Sequence, residues 1–234
     1  MQDGNENSEI WCSIYEKGNN DIRIPNDIFV RIVSRYVDFD KDSRVCDVGM
    51  GTGANLLYLC NEFGRRGVPS YACTGVEVSA IAIEIAESRF SVNGLAAQFV
   101  QIVPNQKLPF PDESFDVVIS WQVLYYNDAN SFKTNVDELN RILAHGGLFI
   151  SATAAPGDVS SQVSELIGID TYRSKVKGQE GAIMYIPPLD NLSKVFVEED
   201  TLFGHFGYEL DALESRHWIV IYRKGLGLAE WNGH

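Results

Sequence analysis

The chain has little positive charge: 19 Lys and Arg stand against 32 Asp and Glu, a formal net charge of −13. A nucleic-acid surface needs clustered cations to replace the counterions of the phosphate backbone, so no nucleic-acid partner is expected. The excess of carboxylates suits a small or cationic substrate instead. There is no C-x-x-C pair. The four cysteines (Cys12, Cys46, Cys60, Cys73) are scattered, and Cys46 and Cys73 fall in apolar stretches where a thiol packs as a small hydrophobe. The four histidines (His145, His205, His217, His234) show no i,i+4 spacing and no nearby cysteine, so no metal site is expected. No apolar run approaches a membrane span. The opening Met1-Gln2-Asp3-Gly4-Asn5-Glu6-Asn7 has no apolar signal region, which makes a cytoplasmic protein the expectation.

What is present is the composition of a globular chain, 45% hydrophobic and 11% aromatic. Its 234 residues suffice for one sizeable core, and residues 1–234 read as a single domain. The informative stretch is Arg44-Val45-Cys46-Asp47-Val48-Gly49-Met50-Gly51-Thr52-Gly53-Ala54-Asn55, a short buried strand that breaks into a glycine-rich turn and opens a helix. Alternating glycines permit positive φ and leave no Cβ between turn and ligand. A helix start leaves N–H groups pointing at the same place. Such turns bind nucleotide-like ligands at the carboxyl ends of strands in open α/β sheets. Gly49-x-Gly51-x-x-Ala54 satisfies the relaxed dinucleotide pattern, so a nicotinamide-dependent oxidoreductase is one reading. Asp47 favours another. A carboxylate two residues before the first glycine would repel a pyrophosphate, whereas S-adenosylmethionine has no phosphate and carries an ammonium and a sulfonium.

Along the chain, residues 1–9 read as a frayed polar tail, and Pro25-Asn26-Asp27 starts a helix with Ile28, Ile32, Val33 and Tyr36 on one stripe. After the glycine turn a helix runs until Gly64 and Gly67. Residues 71–76 form a second strand ending at Glu77, and Ser79 caps the next helix. Residues 98–102 and 115–120 read as strands three and four, 148–153 as strand five. From Ala155 to Glu198 glycines and prolines break the regularity, the pattern of a binding loop or lid. Glu198-Glu199-Asp200-Thr201 begins a short helix, and residues 205–210 and 218–223 read as a final antiparallel pair.

Asp47-Val48-Gly49-Met50-Gly51-Thr52-Gly53 resembles the first motif of the class I S-adenosylmethionine-dependent methyltransferases. Leu108-Pro109-Phe110 leading to Phe115-Asp116 resembles that family's loop and fourth strand, and helix, Gly146-Gly147 and strand give a third match. The resemblance implies an α/β, Rossmann-like doubly wound sheet of seven strands, mostly parallel with an antiparallel C-terminal strand, and S-adenosyl-L-methionine as cofactor. It implies a small-molecule acceptor methylated on oxygen or nitrogen, with a cofactor-binding protein of lost or changed activity as the alternative. Asp47, Gly49, Met50, Gly51 and Val78 would surround the cofactor, and Glu77 would accept both ribose hydroxyls. The family carries an acid before Leu108 for the adenine amino group. This chain has Pro104, Asn105 and Gln106 there, and Asn105 can accept from the amino group and donate to a ring nitrogen. Trp121 would cover the adenine face. Residues 1–24 would cover the site, with Arg23 meeting the cofactor carboxylate and Tyr15 facing substrate. Gln122, Tyr126, and from the 155–198 insert Tyr172 and Tyr185, are the further substrate candidates. His205, His217 and the tyrosines could take a proton, but no spacing singles out a catalytic base, and Asp116 reads as structural.

Overall fold

Alternation along the strands divides the core in two. Val45, Val117, Ile119, Leu148 and Ile150 face one side of the sheet, where Phe29, Val33, Leu56, Leu59 and Phe63 pack on them. Cys46, Val118, Phe149 and Val220 face the other, against Phe132, Val136, Leu139 and Ile142. The computed structural model describes residues 3–41, 43–68, 73–196, 201–210 and 213–227.

The first of these faces carries α2 (Asp27–Tyr36) and α3 (Ala54–Arg65); the second carries α5 (Ala129–Ile142). The strands are β1 (Val45–Val48), β2 (Cys73–Glu77), β3 (Gln98–Gln101), β4 (Phe115–Trp121), β5 (Leu143–Ala154), β9 (Leu202–Leu210) and β10 (Leu213–Arg223), with α4 (Ala80–Val92) between β2 and β3. Their order is β3-β2-β1-β4-β5-β10-β9, and β10 runs antiparallel to both β5 and β9. The expected sheet is therefore present. Strand order reverses between β1 and β4, which opens the crevice in which such sheets bind ligands. At the opposite, amino end of these strands Asp116 holds Arg44 through its backbone N–H at 2.9 Å and its guanidinium at 2.8 Å, the structural role expected of it.

Three expectations need correction. Residues 3–9 are not a tail but the first half of α1 (Asp3–Glu16). Gly64 lies inside α3, which turns out only at Gly67, with φ 83°. The 155–198 insert is largely regular: α6 (Val159–Val163), an antiparallel sheet of β6 (Glu165–Gly168), β7 (Thr171–Arg173) and β8 (Ile183–Tyr185), then α7 (Leu189–Val195). Strands of three or four residues are too short to show a period in sequence. The helix expected from Glu198 and the start of the second strand at Tyr71-Ala72 lie outside the described residues. Among the described residues no helix is long and apolar enough to cross a membrane.

One asparagine ties α1 to the insert. The buried Asn7 amide donates to the Tyr126 carbonyl at 2.8 Å and the Ile183 carbonyl at 3.0 Å, while its oxygen accepts the Ile183 N–H at 2.7 Å. Glu6 pairs with Arg173 beside it at 2.6 Å. Removing a buried polar partner leaves its groups desolvated and unpaired. Asn7→Ala is therefore expected to cost about 1–3 kcal/mol in denaturant unfolding, with faster hydrogen exchange at the Ile183 amide. Unchanged protection of that amide would show that α1 is not held there.

Candidate active site

Beyond β1 the chain turns through Gly49, Met50, Gly51, Thr52 and Gly53 into α3. Gly49 and Gly51 have φ of 74° and 55°, which L residues rarely adopt. Both are also pressed from outside: a Cβ on Gly49 would lie 2.4 Å from Val123 Cγ1, and one on Gly51 2.9 Å from the Tyr15 hydroxyl. Four of the loop's donors are already used. Gly49 and Met50 N–H donate to the Val76 carbonyl at 2.8 and 3.1 Å, Gly51 N–H to Glu77 Oε2 at 3.0 Å and Gly53 N–H to the Met50 carbonyl at 3.0 Å. A phosphate cradle needs such groups free. Gly49, Met50, Gly51 and Gly53 therefore do not point free N–H groups at a ligand.

Asp47 lies beneath the loop, 1% exposed. Its Oδ2 is enclosed and has no hydrogen-bond partner among the described residues. Burial, with repulsion from Glu77, pushes its pKa up to about 7. Glu77 ends β2, also buried. Its Oε1 accepts the N–H groups of Val78 and Ser79 at 2.8 and 3.1 Å, and Oε2 that of Gly51. Burial raises its pKa and these three donors oppose the rise. A carboxylate oxygen has two lone pairs, so Oε2 alone keeps one for a hydroxyl, rather than both oxygens gripping a diol.

Residues 20–24 cross above the loop, held by a cation that the sequence reading missed. Arg89 on α4 donates to the Ile22 carbonyl at 2.7 Å and to the Thr52 carbonyl and hydroxyl at 2.9 and 2.7 Å, and its other terminal nitrogen pairs with Asp21. Arg23 does not enter the site. Its side chain is 80% exposed and pairs with Asp21 at 3.2 Å.

A cavity of about 550 Å³ follows the carboxyl edge of the sheet. Val78, Ile102, Asn105, Gln106 and Leu139 line the end near β3; Trp11 and Tyr15 of α1 roof it; Gln122, Tyr125, Tyr126, Asp158 and His217 line the end near β10. Among the described lining residues are the carboxylates of Glu77, Glu138 and Asp158, and no lysine or arginine. Asn105 takes φ 58°, and its oxygen accepts from Asn135 at 3.1 Å, so an adenine amino group would share that oxygen. Met50 lines the floor, its sulfur seated on β2 where a Cβ at Gly75 would come within 2.1 Å of it.

Three expected contacts fall elsewhere. Trp121 shares the parity of Val117 and Ile119, which puts its ring on the α2 face between Phe29 (5.3 Å) and Phe206 (5.9 Å). Asn105 and Gln106 lie toward α5, so Trp121 borders the cavity but cannot cover a base bound beside them. Tyr172 packs on the Tyr125, Ala154 and Met184 cluster, and Tyr185 on Phe132 at 5.5 Å; both are core contacts outside the cavity. Tyr126 is in place, its hydroxyl donating to Gln179 at 2.8 Å.

The structure singles out one histidine. His205 is exposed on β9, whereas His217 is 6% exposed on β10 and lines the cavity. Its Nε2 is 2.8 Å from the Gln122 amide nitrogen; its Nδ1 is 3.5 Å from Ser215 Oγ and 3.9 Å from Asp158 Oδ2. Its ring stacks on Phe206 at 5.0 Å. Burial lowers its pKa, and the Asp158 carboxylate opposes the fall. Asp158 is itself 1% exposed, fixed by the N–H groups of Ser160 at 2.8 Å and Arg216 at 2.7 Å. No sequence spacing joins residues 122, 158 and 217.

Residues 45–147 match the family model described as a methyltransferase domain. An uncharacterized methyltransferase of Bacillus subtilis is 34% identical over 114 residues, 49% of this chain and 44% of that protein. A fatty-acid O-methyltransferase of Mycolicibacterium smegmatis is 33% identical over 113 residues, 48% of this chain and 38% of that one. The chain thus spans less than half the length of these relatives. A solved SAM-dependent methyltransferase from Methanosarcina mazei shares the fold at TM-score 0.64 and 19% identity, over 82% of this chain and 96% of that one. The matched segment, residues 45–147, is thus a methyltransferase domain, and the sheet built around it has the fold of the S-adenosylmethionine-dependent methyltransferases.

S-adenosylmethionine is that family's cofactor, and the residues present fit it. An orphaned buried carboxylate oxygen, an acidic lining and amides committed elsewhere favour an ammonium and a sulfonium over a phosphate. A cation near Asp47 favours its ionised form and lowers its pKa on binding. Affinity for S-adenosylhomocysteine is therefore expected to be flat above pH 7 and to fall as pH drops below it, with proton release visible as buffer-dependent heat in calorimetry. Asp47→Asn is expected to weaken binding roughly 10- to 100-fold, the worth of a charged hydrogen bond, and to abolish the pH dependence. In the free protein the sign is reversed: a folded pKa above the unfolded one means stability is lost as pH rises toward 7, so the same variant melts higher at pH 8. A pH-independent wild-type affinity would remove Asp47 from the site.

Proposed function

We propose that this chain transfers the methyl group of S-adenosylmethionine to an oxygen or nitrogen of a small-molecule acceptor by in-line displacement. The observation that carries the reading is Asp47: a buried carboxylate with an orphaned oxygen, under a loop whose N–H groups are spent on Val76 and Glu77. The cofactor, when bound, supplies a methyl group made electrophilic by its sulfonium. Glu77 Oε2, Val78, Asn105 and Gln106 would hold the nucleoside half, and Asp47 would attract the ammonium end. Gln122, Tyr125 and Tyr126 would receive the acceptor at the β10 end.

Holding nucleophile and electrophile in line can supply most of the acceleration, and a closed site keeps water from competing. The roof is α1 with residues 1–24, latched through Asn7 to the small sheet of the 155–198 insert; we read both as a cover over one domain. An acidic lining and a net charge of −13 support a small soluble acceptor and no nucleic acid.

The test is transfer of label from methyl-labelled S-adenosylmethionine into a panel of small hydroxyl and amine compounds. Labelled O- or N-methyl products and S-adenosylhomocysteine are expected in equal amounts. Movement of a different part of the cofactor, or cofactor binding with no transfer to any compound, would point to a repurposed site.

A further inference from the structure

We propose that His217, oriented by Asp158, is the general base of the reaction and that the acceptor is a neutral phenolic hydroxyl. This rests on the methyltransferase reading and names its acceptor.

The Gln122 contact favours one tautomer. An amide NH₂ only donates, so Gln122 Nε2 at 2.8 Å leaves His217 Nε2 as the acceptor, with its lone pair directed at the cavity wall. The ring proton then sits on Nδ1, facing Ser215 Oγ at 3.5 Å and the Asp158 carboxylate at 3.9 Å. At that distance Asp158 acts by charge. It favours the Nδ1–H form and stabilises the imidazolium when it forms. The stack of Trp121, Phe206 and His217 fixes the ring plane. The titratable groups facing this imidazole are Asp158 and the Tyr125 phenol, whose ring lies 6.4 Å away. Burial drives that phenol well above its ordinary range, so it stays neutral, and burial likewise keeps His217 neutral and able to accept a proton.

The charge of the cavity selects the acceptor. Glu138 is paired with Arg141 at 2.6 Å, but Glu77 and Asp158 disfavour a preformed anion, so a hydroxyl must arrive protonated and lose its proton inside. The same carboxylates hold an aliphatic amine as ammonium, without a lone pair. A neutral phenol fits the aromatic wall of Trp11, Tyr125 and Tyr126. In the step, the phenol displaces the Gln122 amide and its O–H proton passes to His217 Nε2. The oxygen lone pair forms the O–CH₃ bond as the S–CH₃ bond breaks, its electron pair staying on sulfur. The products are a methyl ether, S-adenosylhomocysteine and an imidazolium that later releases its proton to water.

The test uses the full chain. Two-bond ¹H–¹⁵N spectra of the ¹⁵N-labelled protein at pH 7, with His217 assigned by His217→Asn, are expected to show the Nδ1–H tautomer; an Nε2–H form or a charged ring overturns the proposal. With S-adenosylmethionine, catechol and 2-naphthol are expected to yield methyl ethers, and benzylamine and phenethylamine none. His217→Asn is expected to slow transfer to phenols roughly 10²- to 10⁴-fold while leaving S-adenosylhomocysteine affinity unchanged. The wild-type rate falls at acid pH as His217 protonates, and the variant loses that limb. A variant at full rate, or methylation of amines alone or of neither class, overturns the inference. Failure of the wild type to bind S-adenosylhomocysteine removes the cofactor reading as well, which separates the two.

Discussion

The carboxylate of Asp47, taken out of water under a loop whose Gly49, Met50 and Gly51 amides are bonded elsewhere, is the constraint on which the rest of the site depends. A buried half-satisfied carboxylate is unfavourable in the empty protein. It persists because residues 45–48 are locked between β2 and β4 and because the glycine turn above cannot swing an amide down to it. Gly49 and Met50 are tied to Val76, and Gly51 to Glu77. Glu77 also raises the cost of ionising Asp47, since like charges in one low-dielectric site disfavour joint ionisation. What relieves such a pair is positive charge from outside the chain. No lysine or arginine among the described lining residues supplies that charge.

The surrounding fold closes that centre without adding a cation to it. The guanidinium of Arg89, on α4, is consumed by Asp21, Ile22 and Thr52 in pinning residues 20–24 over the turn. The α1 helix is pinned in turn by Asn7, whose three hydrogen bonds join a long-range pair of elements that local propensity could not specify. The far end is built differently. There the imidazole of His217 is held by ring stacking on one face of the sheet and by Asp158 from the insert, so the two ends of one cavity offer opposite chemistry. One attracts charge, and the other accepts a proton.

Much of this was legible in sequence where the signal is local. The strand–turn–helix at residues 44–55, the acid ending β2 and the Ser79 cap follow from period and turn chemistry, whereas the seven-stranded sheet was implied by the family resemblance. Trp121 was misplaced although its parity with Val117 and Ile119 was available: period two along β4 puts it on the α2 face. Charge alone points to Arg23, but nothing in sequence tells which arginine meets the 20–24 strap from within, and that residue is Arg89 on α4, 66 positions later in the chain. The Asp158, His217 and Gln122 cluster was invisible because it is assembled by β10 inserting antiparallel beside β5, a pairing that only the folded sheet defines. The small sheet of the insert escaped for a simpler reason, its strands being shorter than two full alternations.

The reading of the loop is tested most directly by the heat of titrating the purified chain with S-adenosylhomocysteine and, in parallel, with NADH. Both carry an adenosine that Glu77 and the β3 end can hold, so the difference between them isolates the phosphates. Micromolar binding of the first and none of the second is expected from a site with a buried carboxylate and loop amides bonded elsewhere. Binding of NADH in preference would mean that the loop can open its hydrogen bonds to a pyrophosphate, and would contradict the role given to Asp47.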